Sequence, residues 1–383
     1  MTRLYLDHNA TSPTRPEVIA AVTEAMSVHG NASAPHSHGR SAHALIANAR
    51  DALGLAMGVC AQDIIFTASG TESDNTAIHS ALKAGCTHLL ISEMDHPATY
   101  LAAERSGAKV TPIPCNDQGQ TDLAWLKTTL EAWDAADGRP FVSICAANSE
   151  TGVVQDIETA TELTHAAGGL ILVDAVQALG KLPMLYQPDY MSVSAHKIGG
   201  PMGVGALYVS PSAPFDPLLS GGGQERRRRA GTLNVAGIAG FGAAVKAAGN
   251  IDHTRALRDK IEIELKGIEP ELYIFGEGAD RLPNTSFFAV PDTPAATLLM
   301  ALDLSGVSVS TGMACSSGKA EVSRSIQAMG VADKAPKGAL RVSLGYTSTD
   351  QDVDTFLNAW TKTRRLSHHK TSEIKEKSLG KVI

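Results

Sequence analysis

The sequence has few aromatic residues, no long hydrophobic run and no excess of basic charge. Aromatic residues make up 5% of its 383 positions. No apolar run reaches the roughly 20 residues that a membrane-spanning helix needs. The N-terminus continues from Met1 directly into a strand-like segment and lacks the apolar stretch of a secretory signal peptide. These absences predict a cytoplasmic protein without a membrane partner.

Cysteine is also scarce and is not arranged as a metal site or a disulfide framework. The five cysteines form no CxxC pair, and an odd number leaves at least one unpaired if disulfides form. This pattern fits a reducing compartment. Four of the thiols are expected to be buried structural residues, namely Cys60, Cys86, Cys115 and Cys145.

Acidic residues slightly outnumber basic ones, 40 against 33, which leaves a net charge of −7. The basic residues are scattered apart from the run Arg226–Arg229, which argues against a nucleic-acid surface and a direct nucleic-acid partner. Such a run is typical of a solvated loop. Its position beside Gly221–Gly223 leaves a substrate or dimer contact open as the alternative.

Short apolar runs alternate with helix-like stretches, which predicts an α/β fold with a mainly parallel sheet wrapped by helices. Helical spacing of apolar residues predicts helices over 41–57 and 254–267. The predicted strands are 63–67, 88–92, 141–145, 170–173 and 190–194.

The pattern becomes less regular after residue 250, which predicts a second domain. We expect a large domain over 14–253 and a small domain formed by 1–13 together with 254–366. The polar, Lys-rich residues 367–383 are expected to form a loose tail.

Polar residues follow four of the predicted strands at the point where each strand ends. The exits carry, in chain order, His96, Asn148 with Glu150, Asp174 with Gln177, and Ser194 with His196 and Lys197. Ligands bind outside the carboxyl ends of strands in open α/β sheets. The four exits therefore predict one shared pocket.

Asp174 and Lys197 have the chemistry that pyridoxal phosphate (PLP) requires of a protein. A lysine amine forms the Schiff base, and a carboxylate keeps the pyridine nitrogen protonated so that the ring accepts electrons. From this pair alone, a helix-capping aspartate and an exposed lysine remain an open alternative. Gly70 and Thr71 strengthen the PLP interpretation, because they lie between a strand and a helix, where a phosphate can bind backbone N–H groups.

Cys315 lies in a segment of small residues, Ser310–Lys319, that suits a mobile and exposed loop. Such a thiol could reach a substrate and then turn away, whereas a buried structural cysteine is the alternative. Arg341 could clamp a substrate carboxylate with two parallel hydrogen bonds. Taken alone, it could equally be a surface residue of a strand.

In order along nearly the whole chain, the motifs resemble those of the cysteine desulfurases of the class V aminotransferase group. The matching segments are 5–11, 66–75, 150–156, 173–177, 194–197, 221–226, 231–232, the segment around Cys315, and 341–345. The resemblance implies PLP fold type I, the aspartate aminotransferase-like fold, with a small α+β domain that carries the cysteine loop. The length of that loop resembles the long-loop subgroup of the family. Two departures, Gln224 and Val322, concern loop behaviour and partner choice rather than the core chemistry.

The resemblance also implies a role for each candidate residue. Lys197 would form the Schiff base, Asp174 would face the pyridine nitrogen, and His96 would stack on the ring and handle a proton. The phosphate would be bound by Gly70, Thr71, Ser194 and His196 of one subunit and by Thr232 of the other, which implies a homodimer. The remaining implied roles are Asn148 and Gln177 near the ring hydroxyl, and Arg341 with Asn31 at the substrate carboxylate.

The implied reaction converts L-cysteine to L-alanine and leaves the sulfur as a persulfide on Cys315. An iron–sulfur scaffold or another acceptor protein would then take the sulfur, and Cys315 could transiently contact a nascent cluster. Two alternatives stay open: a selenocysteine lyase with the same cofactor, and a non-catalytic scaffold that keeps the PLP fold. The intact set of Asp174, Lys197 and Cys315 argues against the scaffold.

Overall fold

The structure is a computed structural model that describes residues 3–249, 251–311 and 323–379, with side chains as far as residue 364. In these ranges the helices are α1 (Pro16–Ser27), α2 (Ser37–Met57), α3 (Gly70–Lys83), α4 (Pro97–Arg105), α5 (Leu123–Glu131), α6 (Ile157–Ala166), α7 (Val235–Ala247), α8 (His253–Ile268), α9 (Ala295–Leu304), α10 (Arg324–Ala328) and α11 (Asp350–Leu379). The strands are β1 (Leu4–Tyr5), β2 (Ile64–Thr67), β3 (His88–Ser92), β4 (Lys109–Ile113), β5 (Phe141–Cys145), β6 (Leu170–Asp174), β7 (Tyr190–Ser194), β8 (Gly205–Val209), β9 (Tyr273–Ile274), β10 (Thr285–Ala289), β11 (Val307–Ser308), β12 (Ser310–Thr311) and β13 (Leu340–Ser343).

A large sheet forms the centre of the first part of the chain, with strand order β2-β8-β7-β6-β5-β3-β4 within the described ranges. All neighbours are parallel except β8, which is antiparallel to both β2 and β7. Strands β2, β3, β5, β6 and β7 are buried at every residue. Helices that cover both faces account for this burial and for the continuous apolar runs. The predicted strands and the mainly parallel α/β fold are confirmed.

A second, antiparallel sheet has the order β12-β13-β10-β9, and β1 pairs in parallel with β11 beside it. Its core contains Leu6, Phe288 and Trp360, so the N-terminal segment packs with the C-terminal third of the chain. Helix α11 packs against α8 and α9 on this second core. The arrangement agrees with the segments assigned to a small domain, although the domain boundaries themselves stay a prediction.

Two expectations differ from the structure. Helix α11 continues to Leu379, beyond residue 366 where a loose tail was expected to begin. Cys86 and Cys145 are buried and Cys115 is partly buried, but the prediction is wrong for Cys60, which is exposed. Helix α2 ends at Met57 and its C-cap Gly58 is left-handed (φ 65°), so Cys60 lies past the helix rather than on its buried face.

Among the residues that the structure describes, no helix combines the length and the apolar character needed to cross a bilayer.

Candidate active site

The exits of β3, β5, β6 and β7 lie side by side, because these strands are neighbours in one parallel array. A short 3-10 turn, Ala195–Ile198, follows β7 directly and carries Lys197. The predicted clustering of polar residues at one edge of the sheet is therefore present. Asp174 and Lys197 shift the pKa of one another and both shift that of His96, which agrees with this closeness.

Lys197 is a desolvated amine held by backbone carbonyls. Its Nζ donates to the carbonyl oxygens of Asn9 at 2.6 Å and Ala10 at 2.9 Å. Burial, with a smaller contribution from Arg341, lowers the pKa of Lys197 to about 8, and the nearby carboxylates of Asp174 and Asp7 partly oppose this shift. A substantial fraction of the amine is therefore neutral, and hence nucleophilic, near neutral pH.

Asp174 ends β6 and is 7% exposed. Its Oδ1 accepts a hydrogen bond from the backbone N–H of Val176 at 2.9 Å. Burial raises the pKa of Asp174, and that hydrogen bond and the charges of His96 and Lys197 act in the opposite direction. Neighbouring Asp74 is also buried, and its Oδ1 has no hydrogen-bond partner. A carboxyl in this setting is suited to share a proton with a nitrogen base such as a pyridine.

The turn before α3 brings a helix N-terminus to the same edge of the sheet. Ser69 caps the helix, and its side chain accepts from the backbone N–H of Glu72 at 3.2 Å. A Cβ at Gly70 would lie 2.7 Å from Cγ2 of Val176 and 3.9 Å from Cβ of Ser194. Glycine is therefore needed for this turn to lie against the exits of β6 and β7.

The polar groups around this turn suit a phosphate. The Thr71 side chain is exposed at the first turn of α3, and Ser194 lies buried beside Gly70. Burial and the charge of Lys197 lower the pKa of His196 to about 4, so its imidazole is neutral and can donate one hydrogen bond. The close approach at Gly70 together with the helix N-terminus shows that these residues fit a phosphate-bearing cofactor.

His96 and Asn148 are both engaged in local structure. His96 caps α4, since its Nδ1 accepts from the backbone N–H of Ala98 at 3.1 Å, and desolvation lowers its pKa. The Asn148 amide donates to the Met94 carbonyl at 2.9 Å and to Ser325 Oγ at 3.2 Å. Its Oδ1 also accepts from Glu150 and Thr151. Asn148 could bind a ring hydroxyl only by exchanging one of these bonds, so that role stays a prediction.

Arg341 lies on β13 of the second sheet and is 8% exposed. Its Nη2 pairs with Asp7 Oδ1 at 2.7 Å, and its Nη1 donates to the Ser149 carbonyl at 2.9 Å. The buried Nε has no hydrogen-bond partner. The guanidinium thus reaches the same site with two of its five N–H groups bonded, and its Nη1 and Nη2 each keep a second N–H.

Asn9, Asp7 and Lys181 belong to this site, yet the sequence pattern assigned them no role. Asn9 is 1% exposed and forms a hub: its carbonyl accepts from Lys197 and Gln177, and its Oδ1 accepts from Lys181 at 3.2 Å. The signal for Lys181 was its position four residues after Gln177, which places the two side chains on neighbouring turns. Nothing in the local sequence indicated that the N-terminal segment would reach Lys197.

Three other predicted residues are not brought to Lys197 within one described chain. Asn31 and Thr232 are exposed, and no hydrogen bond of the described side chains connects either of them to Lys197. Cys315 lies outside the described residues. The neighbouring described positions do reach the site: Ser310 is the β-sheet partner of Arg341, and Ser323 donates a hydrogen bond to Glu150.

The Arg226–Arg229 run is largely structural. Arg229 pairs with Glu72 at 2.9 Å, and Arg226 and Arg228 donate to the carbonyl oxygen of Gln62. The exception is Arg227, which is exposed and whose side chain makes no hydrogen bond or ion pair with the described residues. The prediction of a solvated loop therefore holds for part of the run.

Glu225 and the first two arginines of this run are held in a strained conformation. Residues 225, 226 and 227 have positive φ angles of 45°, 57° and 66° without being glycine. The carboxylate of Glu225, which is 7% exposed, accepts two hydrogen bonds from Arg50 and one from the backbone N–H of Phe66. These bonds keep the left-handed turn in place.

Comparison with known proteins agrees with this geometry. The family model Aminotransferase class-V matches residues 4–356. A cysteine desulfurase from Cereibacter sphaeroides is 40% identical over 370 residues, which cover 93% of this chain and 94% of the relative. Among solved structures, the chain resembles a NifS-like protein from Rickettsia africae, with a TM-score of 0.86, 33% identity, and coverage of 95% of this chain and 99% of that one. It also resembles SspA in complex with cysteine, with a TM-score of 0.77, 26% identity, and coverage of 91% and 100%.

Proposed function

The chain belongs to the class-V aminotransferase family and is a cysteine desulfurase within it, and on that premise we propose how its residues carry out the reaction. L-cysteine and the Cys315 thiol react to give L-alanine and a Cys315 persulfide. One S–S bond forms and one C–S bond of the substrate breaks, so neither an oxidant nor a reductant is consumed. The observation that carries the proposal is that the Asp174 carboxylate and the Arg341 guanidinium both lie close enough to the Lys197 amine to shift its pKa.

The class-V aminotransferase family is PLP-dependent, and the residues at the strand exits fit that cofactor. Lys197 would hold it covalently, Asp174 would hold the proton on the pyridine nitrogen, and the turn at Gly70 with Ser194 and His196 would hold the phosphate. When bound there, PLP supplies an electron sink for the α-carbon of the substrate. Gln177 would donate to the ring hydroxyl.

Arg341 orients the substrate in this proposal. Its Nη1 and Nη2 each keep a second N–H for a substrate carboxylate, and its bond to Asp7 can be exchanged for a further contact. The Lys197 amine, with its pKa lowered to about 8, can take a proton from the α-carbon and return it to the product. His96 is a neutral imidazole nearby and is suited to hold a proton during sulfur transfer.

Cys315 receives the sulfur. It is four positions after Thr311, and an extended chain of that length spans at most about 14 Å. Thr311 is a sheet partner of Leu340, the neighbour of Arg341, so the described end of this segment lies beside the proposed substrate site. Chain connectivity is thus compatible with direct attack by Cys315 on the substrate sulfur.

We further propose that the enzyme is a homodimer that passes its sulfur to an acceptor protein, with an iron–sulfur scaffold as the expected acceptor. The exposure of Asn31 and Thr232 supports the dimer, because a partner subunit could bring both residues to the other active site. Transient contact between the persulfide of Cys315 and a nascent cluster belongs to the same proposal.

The test is release of alanine and sulfide from L-cysteine in the presence of PLP and a thiol reductant. The wild type should release the two products in equal amounts, and Lys197→Ala and Cys315→Ala should release neither. Cys60→Ala is the matched control, because Cys60 is the exposed cysteine among the described residues, and this variant should keep full activity. Turnover that survives in Cys315→Ala would contradict the proposal, and faster turnover of selenocysteine would favour the lyase.

A further inference from the structure

A second lysine lies behind Lys197 and has no part in the reaction described above. Lys181 Nζ donates to Gln177 Oε1 at 2.8 Å and to Asn9 Oδ1 at 3.2 Å. Lys181 and Lys197 line the same cleft, together with Arg15 and Tyr346. Burial and the charges of Lys197 and Arg341 lower the pKa of Lys181 to about 7. Burying a second amine beside Lys197 therefore costs free energy, which the two hydrogen bonds of Lys181 partly offset.

The two bonds determine how the Gln177 amide is presented. A lysine nitrogen carries at least two N–H groups in either protonation state, one for each of these amide oxygens. Gln177 Oε1 therefore faces Lys181, and Gln177 Nε2 points away from it and donates to the Asn9 carbonyl at 2.9 Å. Lys197 Nζ donates to the same carbonyl, so this contact places the Gln177 amide beside the reactive amine.

One N–H of Gln177 is used on Asn9, and no other described residue accepts from the amide. The second N–H is free to donate toward the place where the ring hydroxyl of the cofactor is proposed to lie. Donation from Lys181 to Oε1 also polarises the amide, which strengthens its N–H groups as donors. The geometry thus connects Lys181 to the cofactor through one intermediate side chain.

We propose that Lys181 is a positioning residue that holds the Gln177 amide as a hydrogen-bond donor to the cofactor ring oxygen. This inference rests on the proposed PLP-dependent function and deepens it. A donor at the ring oxygen stabilises the anionic oxygen and so lowers the pKa of the nitrogen that joins Lys197 to the cofactor. Loss of Lys181 should therefore raise that pKa, whereas a merely structural role would leave it unchanged.

The experiment is a double-mutant cycle on the cofactor-loaded enzyme, read as the pH midpoint of its visible absorption band. Lys181→Met should raise the midpoint by roughly 1 pH unit. In the Gln177→Ala background the same change should add less than about 0.3 unit, because the side chain through which Lys181 acts is missing. The other charges that act on Lys197, those of Arg341, Asp174 and Asp7, stay unchanged throughout the cycle.

Lys127→Met is the matched control, since Lys127 is exposed on α5 and its one ion pair with the described residues, to Glu131, is long at 3.9 Å. Its midpoint should equal that of the wild type. An equal shift from Lys181→Met in both backgrounds, or no shift in either, would overturn the proposal. Thermal unfolding and cofactor content are measured first, and Lys181→Gln, which keeps one donor, is used if Lys181→Met does not retain cofactor. The band requires bound cofactor but no turnover, so a failure of desulfurase activity would be recognised separately.

Discussion

The lowered pKa of Lys197 leads to a prediction that can be measured without the cofactor. The pKa lies at about 8 instead of the ordinary 10.5. Such a difference corresponds to about 3 kcal/mol in favour of the neutral amine. Acylation by a small reagent requires the neutral amine. Labelling of Lys197 in the apoprotein should therefore rise with pH and reach half of its maximum near pH 8, as measured by peptide mass spectrometry.

Two substitutions should move this midpoint in opposite directions. Arg341→Gln removes a positive charge that disfavours protonation of Lys197, so the midpoint should rise by roughly 1 unit. Asp174→Asn removes a negative charge that favours protonation, so the midpoint should fall by a similar amount. Arg105→Gln, at an exposed position at the end of α4, is the control and should change nothing.

The prediction separates local charge from burial as the cause of the shift. Burial is the larger contribution, so both variants should keep a midpoint well below 10.5. A wild-type midpoint close to 10.5 would refute the assignment of a desolvated amine. Shifts of the same sign in Arg341→Gln and Asp174→Asn would refute the charge arrangement around it.

Three further predictions concern stability and are measured by chemical denaturation. Glu225→Ala leaves Arg50 and the Phe66 N–H without their acceptor and should lower the free energy of unfolding by about 3 kcal/mol. A decrease under about 1 kcal/mol would contradict the inference that Glu225 holds the left-handed turn in place. Arg227→Gly, at φ 66°, should stabilise the protein by roughly 0.5–1 kcal/mol, since glycine adopts that conformation without strain, and any destabilisation would indicate a contact made by the arginine. Trp360→Ala, in the core of the second sheet, should cost about 3–5 kcal/mol, and a cost below 1.5 would mean that α11 is not packed there.

Much of the site was accessible from the sequence, because it is built at strand ends. A buried parallel strand is a short apolar run, and the first polar residue after it marks the edge of the sheet. Asp174 and Lys197 could be located on that basis, as could the glycine turn before α3. The chemistry of the residue types then restricted the cofactor.

The contributions of Asn9 and Asp7 could not be found in this way. Asn9 and Asp7 follow a two-residue strand at the N-terminus, and they meet Lys197 and Arg341 only because that strand pairs with β11. Contacts between residues so far apart in the chain leave no periodicity in the local sequence. The exposure of Cys60 was missed because α2 ends at Met57, so Cys60 does not continue the buried face of that helix.

The sequence by itself determined the fold class and five of the seven strands described in the large sheet, and it proposed which groups react, because each of these depends on local periodicity or on side-chain chemistry. Only the tertiary structure decided the state of those groups. The pKa of Lys197 depends on how deeply the assembled protein buries it and on Arg341 from the second sheet, and the hydrogen bonds of Asn148 and Gln177 depend on segments distant in the chain. Desolvation and charge act through space, so they become defined only when the chain has folded.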